Sequence, residues 1–261
     1  MADGAMTAEQ VRSALMGENA RLLKRRRVFR RLPSPPRCKL CAVPFAGIGG
    51  LVLRHVGFAR SPGNPALCTK CLGKLRKHGM SGGHAALLRR PRLDGDGRAD
   101  APGRVPRLPR SLLSASEAIV DHDGLVDKVV GDEIVALFFG GISGPKHAAT
   151  AIEAAIDVAE RAVGADATPS GPVPVGTAVH TGEAFVGGTG PGGTIEDFTA
   201  LGDVVNTTAR LAAAARAGEL IVSVAAADAA GLDSFERRRV EIRGRAEPIE
   251  VVILRPAASV R

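Results

Sequence analysis

The sequence predicts a two-part α+β protein, in which a small basic metal-binding module precedes a larger domain built on a mainly antiparallel sheet. Three observations lead to this prediction. Charge is segregated along the chain, and all four cysteines lie in two Cys-x-x-Cys pairs. Beyond residue 113, short Val- and Ile-rich segments alternate with helical patterns, an order that favours an α+β fold over a doubly wound parallel sheet.

The segregation of charge separates a basic module from an acidic domain. Residues 1–83 contain 16 Lys or Arg and 3 Asp or Glu, whereas residues 114–261 contain 12 and 21. The chain of 261 residues has room for one or two domains. Its longest apolar run, residues 42–53, is too short to span a bilayer, and no signal-peptide pattern precedes it. We therefore expect a cytoplasmic protein without a membrane segment.

The four cysteines predict a metal site in the module at residues 1–83. Cys38 and Cys41 form one pair, Cys68 and Cys71 form the other, and 26 residues separate the two pairs. Two such pairs present four thiolates to one tetrahedral ion, and the residue types favour Zn²⁺. An iron–sulfur cluster is the alternative cofactor, and two unlinked pairs of reduced thiols are the alternative without a metal.

The rest of the module is basic and helical. Thr7 and Gln10 form a capping box that opens a helix, which is predicted to end in the run Lys24–Arg27. A basic module of this kind is a candidate for binding nucleic acid. The sequence, however, has neither aromatic residues interleaved with the charges nor a zinc-finger helix pattern. We therefore expect no nucleic-acid partner and interpret the module as a docking or sensing element.

The C-terminal part begins with a predicted hairpin. Residues 117–139 show the end of a helix and two strands that meet at Gly131-Asp132, which puts a carboxylate at the hairpin tip. Pro145 then opens a helix whose apolar residues recur with a 3.6-residue period. Two strands joined at Thr181-Gly182 follow, at residues 173–179 and 184–186.

The remaining elements complete a sheet. A Gly-rich loop at residues 187–193 precedes a helix that begins after Gly202. Three further strands are predicted at residues 220–224, 240–243 and 249–254. Hairpins and helices in this order fit a ferredoxin-like, mainly antiparallel sheet.

The helix after Gly202 carries the clearest chemical signal. Asn206 and Arg210 lie one helical turn apart and therefore share a face. An amide beside a guanidinium combines a neutral donor with a fixed cation, which suits a ribose and a polyphosphate. The spacing alone is equally typical of an ordinary surface helix with a polar pair.

Two segments together extend that signal to a known family. Residues 201–211, with the sequence Leu-Gly-Asp-Val-Val-Asn-Thr-Thr-Ala-Arg-Leu, and residues 124–138, which contain Lys128-Val-Val-Gly-Asp132, resemble the catalytic domain of class III nucleotidyl cyclases in order and spacing. The resemblance implies an adenylate cyclase that converts ATP to cyclic AMP and pyrophosphate in intracellular signalling. It also implies Mg²⁺ or Mn²⁺ as cofactor and a homodimer whose sites form between two chains.

The resemblance assigns roles to individual residues. Asp132 matches the second of two aspartates that bind the metal ions. Lys128 matches a position where lysine goes with adenine, and Thr199, three residues before Gly202, matches its partner in selecting the base. Further roles fall on three residues: Asn206 matches the residue that orients the ribose, Arg210 the residue that stabilises the transition state, and Arg245 falls near a phosphate-binding lysine.

One part of the family pattern is missing. The strand that carries the first metal-binding aspartate is expected 30–45 residues before Lys128, where residues 84–113 contain 7 Arg, 4 Pro and 3 Gly without a periodic pattern. Taken at face value, this segment is a disordered linker between the module and an incomplete cyclase domain at residues 114–256.

We favour an out-of-frame reading of an ordinary cyclase segment for residues 84–113, with a true linker as the alternative. When the codons of residues 87–109 are read one nucleotide later, with Arg as CGN, their fixed bases permit the strings F-A-D and G-S-T of the missing strand. In either case the chain lacks the first metal aspartate. The sequence therefore predicts an adenylate cyclase that is weakened or inactive as written. The alternative is a degenerate cyclase fold that dimerises or binds nucleotide as a non-catalytic regulatory protein.

Overall fold

The computed structural model describes residues 8–32, 35–62, 64–77, 80–90, 110–130, 133–165, 175–189, 197–232, 235–243 and 245–256. The chain divides into two compact units. The first comprises residues 1–85, 139–147 and 183–202, and the second comprises residues 86–138, 148–182 and 203–261. In chain order the elements are α1 (Ala8–Leu15), α2 (Ala20–Arg30), α3 (Gly47–His55), α4 (Thr69–Lys77), β1 (Met80–Arg90), α5 (Arg110–Asp121), β2 (Leu125–Val130), β3 (Glu133–Phe138), α6 (Gly140–Ser143), α7 (His147–Ala165), β4 (Thr177–Thr189), β5 (Asp197–Leu201), α8 (Asp203–Ala214), β6 (Leu220–Ser223), α9 (Val224–Ala230), β7 (Arg237–Val240) and β8 (Ile249–Leu254).

In the first unit, two helices replace the single helix predicted from Thr7 to Arg27. The break follows from local chemistry, because Gly17 adopts a left-handed φ of 78° and Asn19 starts a new helix. The Asn19 side chain accepts a hydrogen bond from the backbone N–H of Leu22 at 3.0 Å. A Cβ at Gly17 would lie 2.8 Å from the carbonyl oxygen of Gly140, so the turn also lies close to α6.

The sheet is mainly antiparallel, as the sequence predicts, and its strand order is β2-β3-β1-β4-β6-β8-β7, with β5 paired to β4. Among the strand pairs whose register is described, one is parallel: Thr177–Val179 of β4 pairs with Leu220–Val222 of β6. The predicted break in β4 at Thr181-Gly182 is wrong, because the strand runs unbroken from Thr177 to Thr189. Pairing on both sides of that point outweighs the turn preference of one glycine.

Strand β1 lies partly in the segment for which the sequence predicts a structureless linker. Ala86 pairs antiparallel with Phe138, and Arg90 pairs with Ile134. The expectation of a linker is therefore wrong for residues 84–90. The physical reason is that β3 has a second edge of backbone donors and acceptors, which a neighbouring strand satisfies whatever its side chains.

Two smaller boundaries also differ from the prediction. Helix α5 begins at Arg110, inside the predicted linker, and residues 91–109 lie outside the described residues. Strand β7 covers Arg237–Val240 rather than residues 240–243. Its arginines are exposed and carry no hydrophobic pattern, so the pairing with β8 alone defines the strand.

Helices cover both faces of the sheet in the second unit. Helices α5, α7 and α9 pack on one face, where Ile119, Ala155 and Ala226 meet Phe138 and Val222. Helix α8 packs on the opposite face, where Leu211 and Ala212 meet Ala178, Ile221 and Val251. The alternation of neighbours such as Ile221 and Val222 between the two cores follows from the period of two in a strand. This packing fixes α8 and leaves its polar side outward.

Candidate active site and metal centre

The four cysteines converge in the first unit. Cys38 and Cys41 lie in a turn closed by a backbone bridge between Arg37 and Pro44, while Cys68 and Cys71 lie at the start of α4. All four are buried, and their sulfur atoms lie within 4.8 Å of one another. Sequence analysis predicts this juxtaposition, and the structure brings all four residues together.

Backbone hydrogen bonds hold the cluster in shape. The N–H of Cys68 donates to the Sγ of Cys38 at 3.3 Å, and the N–H of Ala42 donates to the carbonyl oxygen of Cys38 at 2.8 Å. Ala42 takes a left-handed φ of 61°, which turns the chain sharply after Cys41. The sulfurs are therefore positioned by the main chain rather than by side-chain packing alone.

The geometry fits one tetrahedral ion. A metal–sulfur bond of about 2.3 Å in a tetrahedron separates the sulfurs by about 3.8 Å, and the sulfurs of Cys41 and Cys68 lie 3.8 Å apart. A cluster of several irons distributes its cysteines over different metal atoms and spreads them further. Hydrogen bonds from Cys41 and the other thiols lower the pKa of Cys38, while the corresponding contacts raise the pKa of Cys71. Four thiolates thus coexist here only with a cation among them.

In the second unit, helix α8 presents the predicted polar pair. Its buried face consists of Val204, Thr207, Thr208, Leu211 and Ala212. Asn206 is exposed and Arg210 is half-buried, one turn apart, on the part of the helix that the core leaves free. The structure therefore provides the shared face, while the roles of the two residues stay predictions.

An open cavity of about 520 Å³ lies between the C-terminal half of α8 and the chain that follows β7. Its lining comprises Arg210, Ala213, Ala214, Glu241, Ile242 and Arg243. Two guanidinium groups and one carboxylate thus border a space within the size range of small-ligand sites. Sequence analysis did not connect Glu241 and Arg243 with Arg210, because their proximity depends on the packing of α8 against the sheet.

The N-terminus of α8 carries an ion pair that the sequence did not reveal. Arg245 donates a hydrogen bond to Asp203, which also accepts one from the hydroxyl of Thr207 at 3.4 Å. Asp203 lies in the first turn of α8, where the helix dipole favours a carboxylate. The predicted phosphate ligand Arg245 is therefore neutralised by a carboxylate of the predicted nucleotide-binding helix.

His180 lies on β4 near this ion pair. Its Nδ1 is 2.8 Å from the hydroxyl of Ser223. Burial, together with the positive charge of Arg245, lowers the pKa of His180 from 6.5 to about 4, although Asp203 acts in the opposite direction. The imidazole is therefore neutral at pH 7 and adds no charge to the site.

Lys128 lies on β2, beside a bulge. The register with β3 shifts between Val126 and Lys128, so Asp127 is the extra residue. The Asp127 side chain is 1% exposed, and its Oδ2 lies 3.5 Å from the Nζ of Lys128, whose side chain is 38% exposed. Neighbouring side chains of a regular strand point to opposite faces, so the bulge brings this pair together. The local sequence contains no signal for it.

Two predicted residues stand apart from these groups. Thr199 is buried on β5, opposite Gly187 of β4, and its hydroxyl lies 3.4 Å from the carbonyl oxygen of Ala200. Asp132 lies outside the described residues, between Val130 and Glu133, which pair across β2 and β3. Their predicted roles in selecting the base and in binding metal stay predictions.

Comparison with known sequences gives partial matches. No model of a known protein family matches the chain. Adenylate cyclase 1 of Rhizobium meliloti is 33% identical over 120 residues, which are 42% of this chain and 18% of that protein. An uncharacterized protein of Mycobacterium bovis is 32% identical over 157 residues, 58% of this chain and 28% of that protein. The chain thus spans less than a third of the length of these curated relatives.

Comparison with solved structures gives matches along nearly the whole of each known domain. The guanylyl cyclase Cya2 superposes with a TM-score of 0.52 at 23% identity, over 66% of this chain and 93% of that one. The adenylyl cyclase CyaB from P. aeruginosa superposes with a TM-score of 0.53 at 22% identity, over 67% of this chain and 95% of that one. The guanylate cyclase domain of RhGC from Catenaria anguillulae, in complex with GTP, superposes with a TM-score of 0.56 at 16% identity. The match covers 67% of this chain and 98% of that one. At these identities the matches establish a shared fold.

Proposed function

Because this chain has the fold of the class III nucleotidyl cyclase catalytic domain, preceded by a four-cysteine cluster, we propose that it is an adenylate-cyclase-type protein with an incomplete catalytic site. In the proposed reaction the ribose 3′ oxygen of ATP bonds to the α-phosphorus. The bond from that phosphorus to the pyrophosphate oxygen breaks, and the hydroxyl proton leaves. The observation that carries the proposal is α8, which presents Asn206 and Arg210 on one face, with Arg210 beside an open cavity.

Helix α8 supplies the groups for the ribose and the phosphate. The amide of Asn206 suits hydrogen bonding to the ribose, which fixes the 3′ oxygen in line with the phosphorus. The guanidinium of Arg210 suits the charge that builds on the phosphate oxygens in the transition state. Arg243 borders the same cavity and adds a second cation for the polyphosphate.

Arg245 would reach a phosphate only by leaving Asp203. A triphosphate carries more charge than one carboxylate and therefore competes for the guanidinium. The exchange is inexpensive, since both side chains of this ion pair are partly exposed. We infer that Asp203 holds Arg245 in an ion pair until a nucleotide displaces the carboxylate.

Lys128 and Thr199 would select the base. An ammonium group donates to the N1 acceptor of adenine, whereas guanine presents a donor at N1, which gives ATP the advantage over GTP. The buried carboxylate of Asp127 contributes by holding the ammonium near the strand. Thr199 would be the second residue that contacts the base.

The residues present do not fit the pair of divalent ions, Mg²⁺ or Mn²⁺, that the resemblance implies. Strand β1 lies beside β3, yet residues 80–90 contain no Asp or Glu. The resemblance assigns a metal-binding role in this sequence to Asp132 alone, and Asp132 lies outside the described residues. We therefore expect turnover to be very low. The same observation favours the second candidate function, a nucleotide-binding regulatory protein without catalysis.

We also propose a homodimer and a structural Zn²⁺. Asn206 is exposed rather than packed in its own chain, as a residue that completes a partner's site would be. A cluster of four buried thiols with tetrahedral spacing, and without an open position, is typical of structural zinc. Zinc is preferred to an iron–sulfur cluster because the sulfurs are spaced for a single ion.

Nucleotide binding tests the proposal without requiring turnover. A fluorescent ATP analogue, displaced by ATP or by GTP, should show tighter binding of ATP by about tenfold or more, the worth of one charge-assisted hydrogen bond. Lys128→Glu should remove or invert this preference, and Lys146→Glu, at an exposed lysine, is the matched charge control. A wild type that prefers GTP, or that binds neither nucleotide, would remove the basis of the proposal. Binding without detectable cyclic AMP supports the regulatory alternative.

A further inference from the structure

Helix α3 leaves its large apolar side chains uncovered. Ile48 is 84% exposed, Leu51 52%, Val52 59% and Val56, just after the helix, 55%. Spacings of three, four and eight residues align these side chains along one side of the helix. We call this set the α3 stripe. Isolated exposed apolar residues are ordinary, but four along one side of a short helix and its C-cap are not.

The orientation of α3 is fixed by glycines. Gly50 is the buried residue of the helix, and a Cβ there would lie 2.6 Å from the backbone carbon of Phe45. A Cβ at Gly49 would approach Pro44 and Leu32 at 3.4 and 3.7 Å. The helix thus turns Gly49 and Gly50 inward and leaves Ile48, Leu51 and Val52 exposed, whereas a helix that contributes to a core buries its large apolar residues.

A cationic helix, α2, lies beside α3. The rings of Phe29, in α2, and Phe58, just beyond α3, meet edge to face with centroids 5.8 Å apart, and Leu32 lies next to Gly49. Helix α2 has no buried residue and no acidic residue, and 6 of its 11 residues are Lys or Arg. Its exposed cations are Arg21, Lys24, Arg25, Arg27 and Arg30.

We propose that the α3 stripe and α2 together form a surface that binds anionic lipid headgroups at a membrane, with the stripe entering the interface. A lipid surface offers negative charge and an apolar layer side by side, which is the complement of this face. The longest apolar run of the sequence, residues 42–53, is too short to span a bilayer. Among the described residues, too, no helix is long and apolar enough to cross a bilayer. Surface binding needs no such helix.

Other occupants match this face less well. A second copy would bring two modules of strongly positive charge together, since residues 1–83 hold 16 Lys or Arg against 3 Asp or Glu. A nucleic acid would neutralise α2 but would leave the four aliphatic side chains against phosphates and sugar. Phe29 and Phe58 do not offer free rings for base stacking, because they pack on each other.

The chain contains no tryptophan, so a single one can report on the surface. We would record the fluorescence of full-length Ile48→Trp with vesicles of phosphatidylcholine alone and with equimolar phosphatidylcholine and phosphatidylglycerol. The proposal predicts a blue shift with the anionic vesicles only. Leu113→Trp, at an exposed residue of α5, is the matched control and should not shift.

Cosedimentation with the same vesicles separates the contribution of the apolar α3 stripe from that of the cations of α2. Ile48→Ser with Val52→Ser, and separately Lys24→Gln with Arg27→Gln, should each weaken binding about tenfold or more. Leu113→Ser with Val120→Ser removes equivalent exposed side chains from α5 and should leave binding unchanged. Retained zinc and circular dichroism show that each variant is folded.

Several results would overturn the proposal. One is equal binding to neutral and anionic vesicles, and another is no binding to either. Full binding by the Ile48/Val52 variant would show that the stripe does not enter the interface. Tighter binding to duplex DNA than to anionic vesicles would identify a nucleic-acid surface, and a dimer that the Ile48/Val52 variant abolishes would identify a second copy as the occupant.

Discussion

His180 should make the fold sensitive to acid. The imidazole lies on β4 with its Nδ1 2.8 Å from the Ser223 hydroxyl, which also accepts a hydrogen bond from the N–H of Ala226 at the start of α9. Burial lowers the pKa of His180 to about 4, and Arg245 acts in the same direction. Protonation of the ring therefore destabilises the contact through which Ser223 connects the sheet to α9.

The direction and size of the stability change follow from the linkage between proton binding and folding. The pKa of His180 is lower in the folded than in the unfolded chain, so the unfolded chain binds more protons between about pH 6.5 and pH 4. The stabilisation is complete above this window and is lost as the pH falls through it. Between about pH 7.5 and pH 5 the loss is about 2 kcal/mol, and below both pKa values it reaches about 3 kcal/mol.

Urea unfolding at these two pH values would measure the effect. We would compare wild type with His180→Gln, which keeps a polar partner for Ser223, and with His55→Gln, at an exposed imidazole of α3. The three proteins share all their cysteines, so the acid response of the metal centre is common to them. The loss of stability on acidification should be smaller by about 2 kcal/mol in His180→Gln than in the other two. An equal loss in all three proteins would refute the assignment.

Three further predictions concern other parts of the chain. Purified protein should contain about one Zn²⁺ per chain, by the four-ligand count, and Cys68→Ser with Cys71→Ser should abolish it; a metal-free wild type or undiminished zinc in the variant would contradict the site. Asp203→Asn should tighten ATP binding severalfold by releasing Arg245, whereas Arg245→Gln should weaken it, and unchanged affinity in both would argue against a phosphate role for Arg245. Gly124→Ala, whose Cβ would lie 2.5 Å from the Phe138 ring, should destabilise the fold by about 1–3 kcal/mol in thermal unfolding, while Gly73→Ala, with open space around it, should not; equal stability of the two would contradict the packing.

Local signals were enough for the hairpin β2–β3, for helices α7 and α8, and for strands β6 and β8. In the helices the hydrophobic period matches the side that packs, whereas β3 and β6 are short apolar runs that are buried on both faces. The cysteine cluster was also predictable, because the spacing of two Cys-x-x-Cys pairs limits what they can bind. The likeness to cyclase domains rested on residues 124–138 and 201–211, and the shared fold confirms it.

The features that the sequence did not predict mostly depend on long-range contacts, which leave no local sequence pattern. Strand β1 exists because β3 offers an unpaired edge, and the bulge at Asp127 exists because of the register between β2 and β3. The pairing of Arg245 with Asp203 joins residues 42 positions apart in the sequence. Helix α3 was missed for a different reason, since its apolar residues face outward and its glycines face inward.

Cyclic AMP synthesis tests the central claim that this is a cyclase fold with half of its metal site. We would compare the chain as written with a version in which the codons of residues 84–113 are read in the alternative frame, using ATP with Mg²⁺ and with Mn²⁺. The chain as written should be silent or nearly so. The altered version should make cyclic AMP faster by several orders of magnitude, as expected when a two-metal site is rebuilt. Robust synthesis by the pure chain as written, abolished by Arg210→Ala, would contradict the claim.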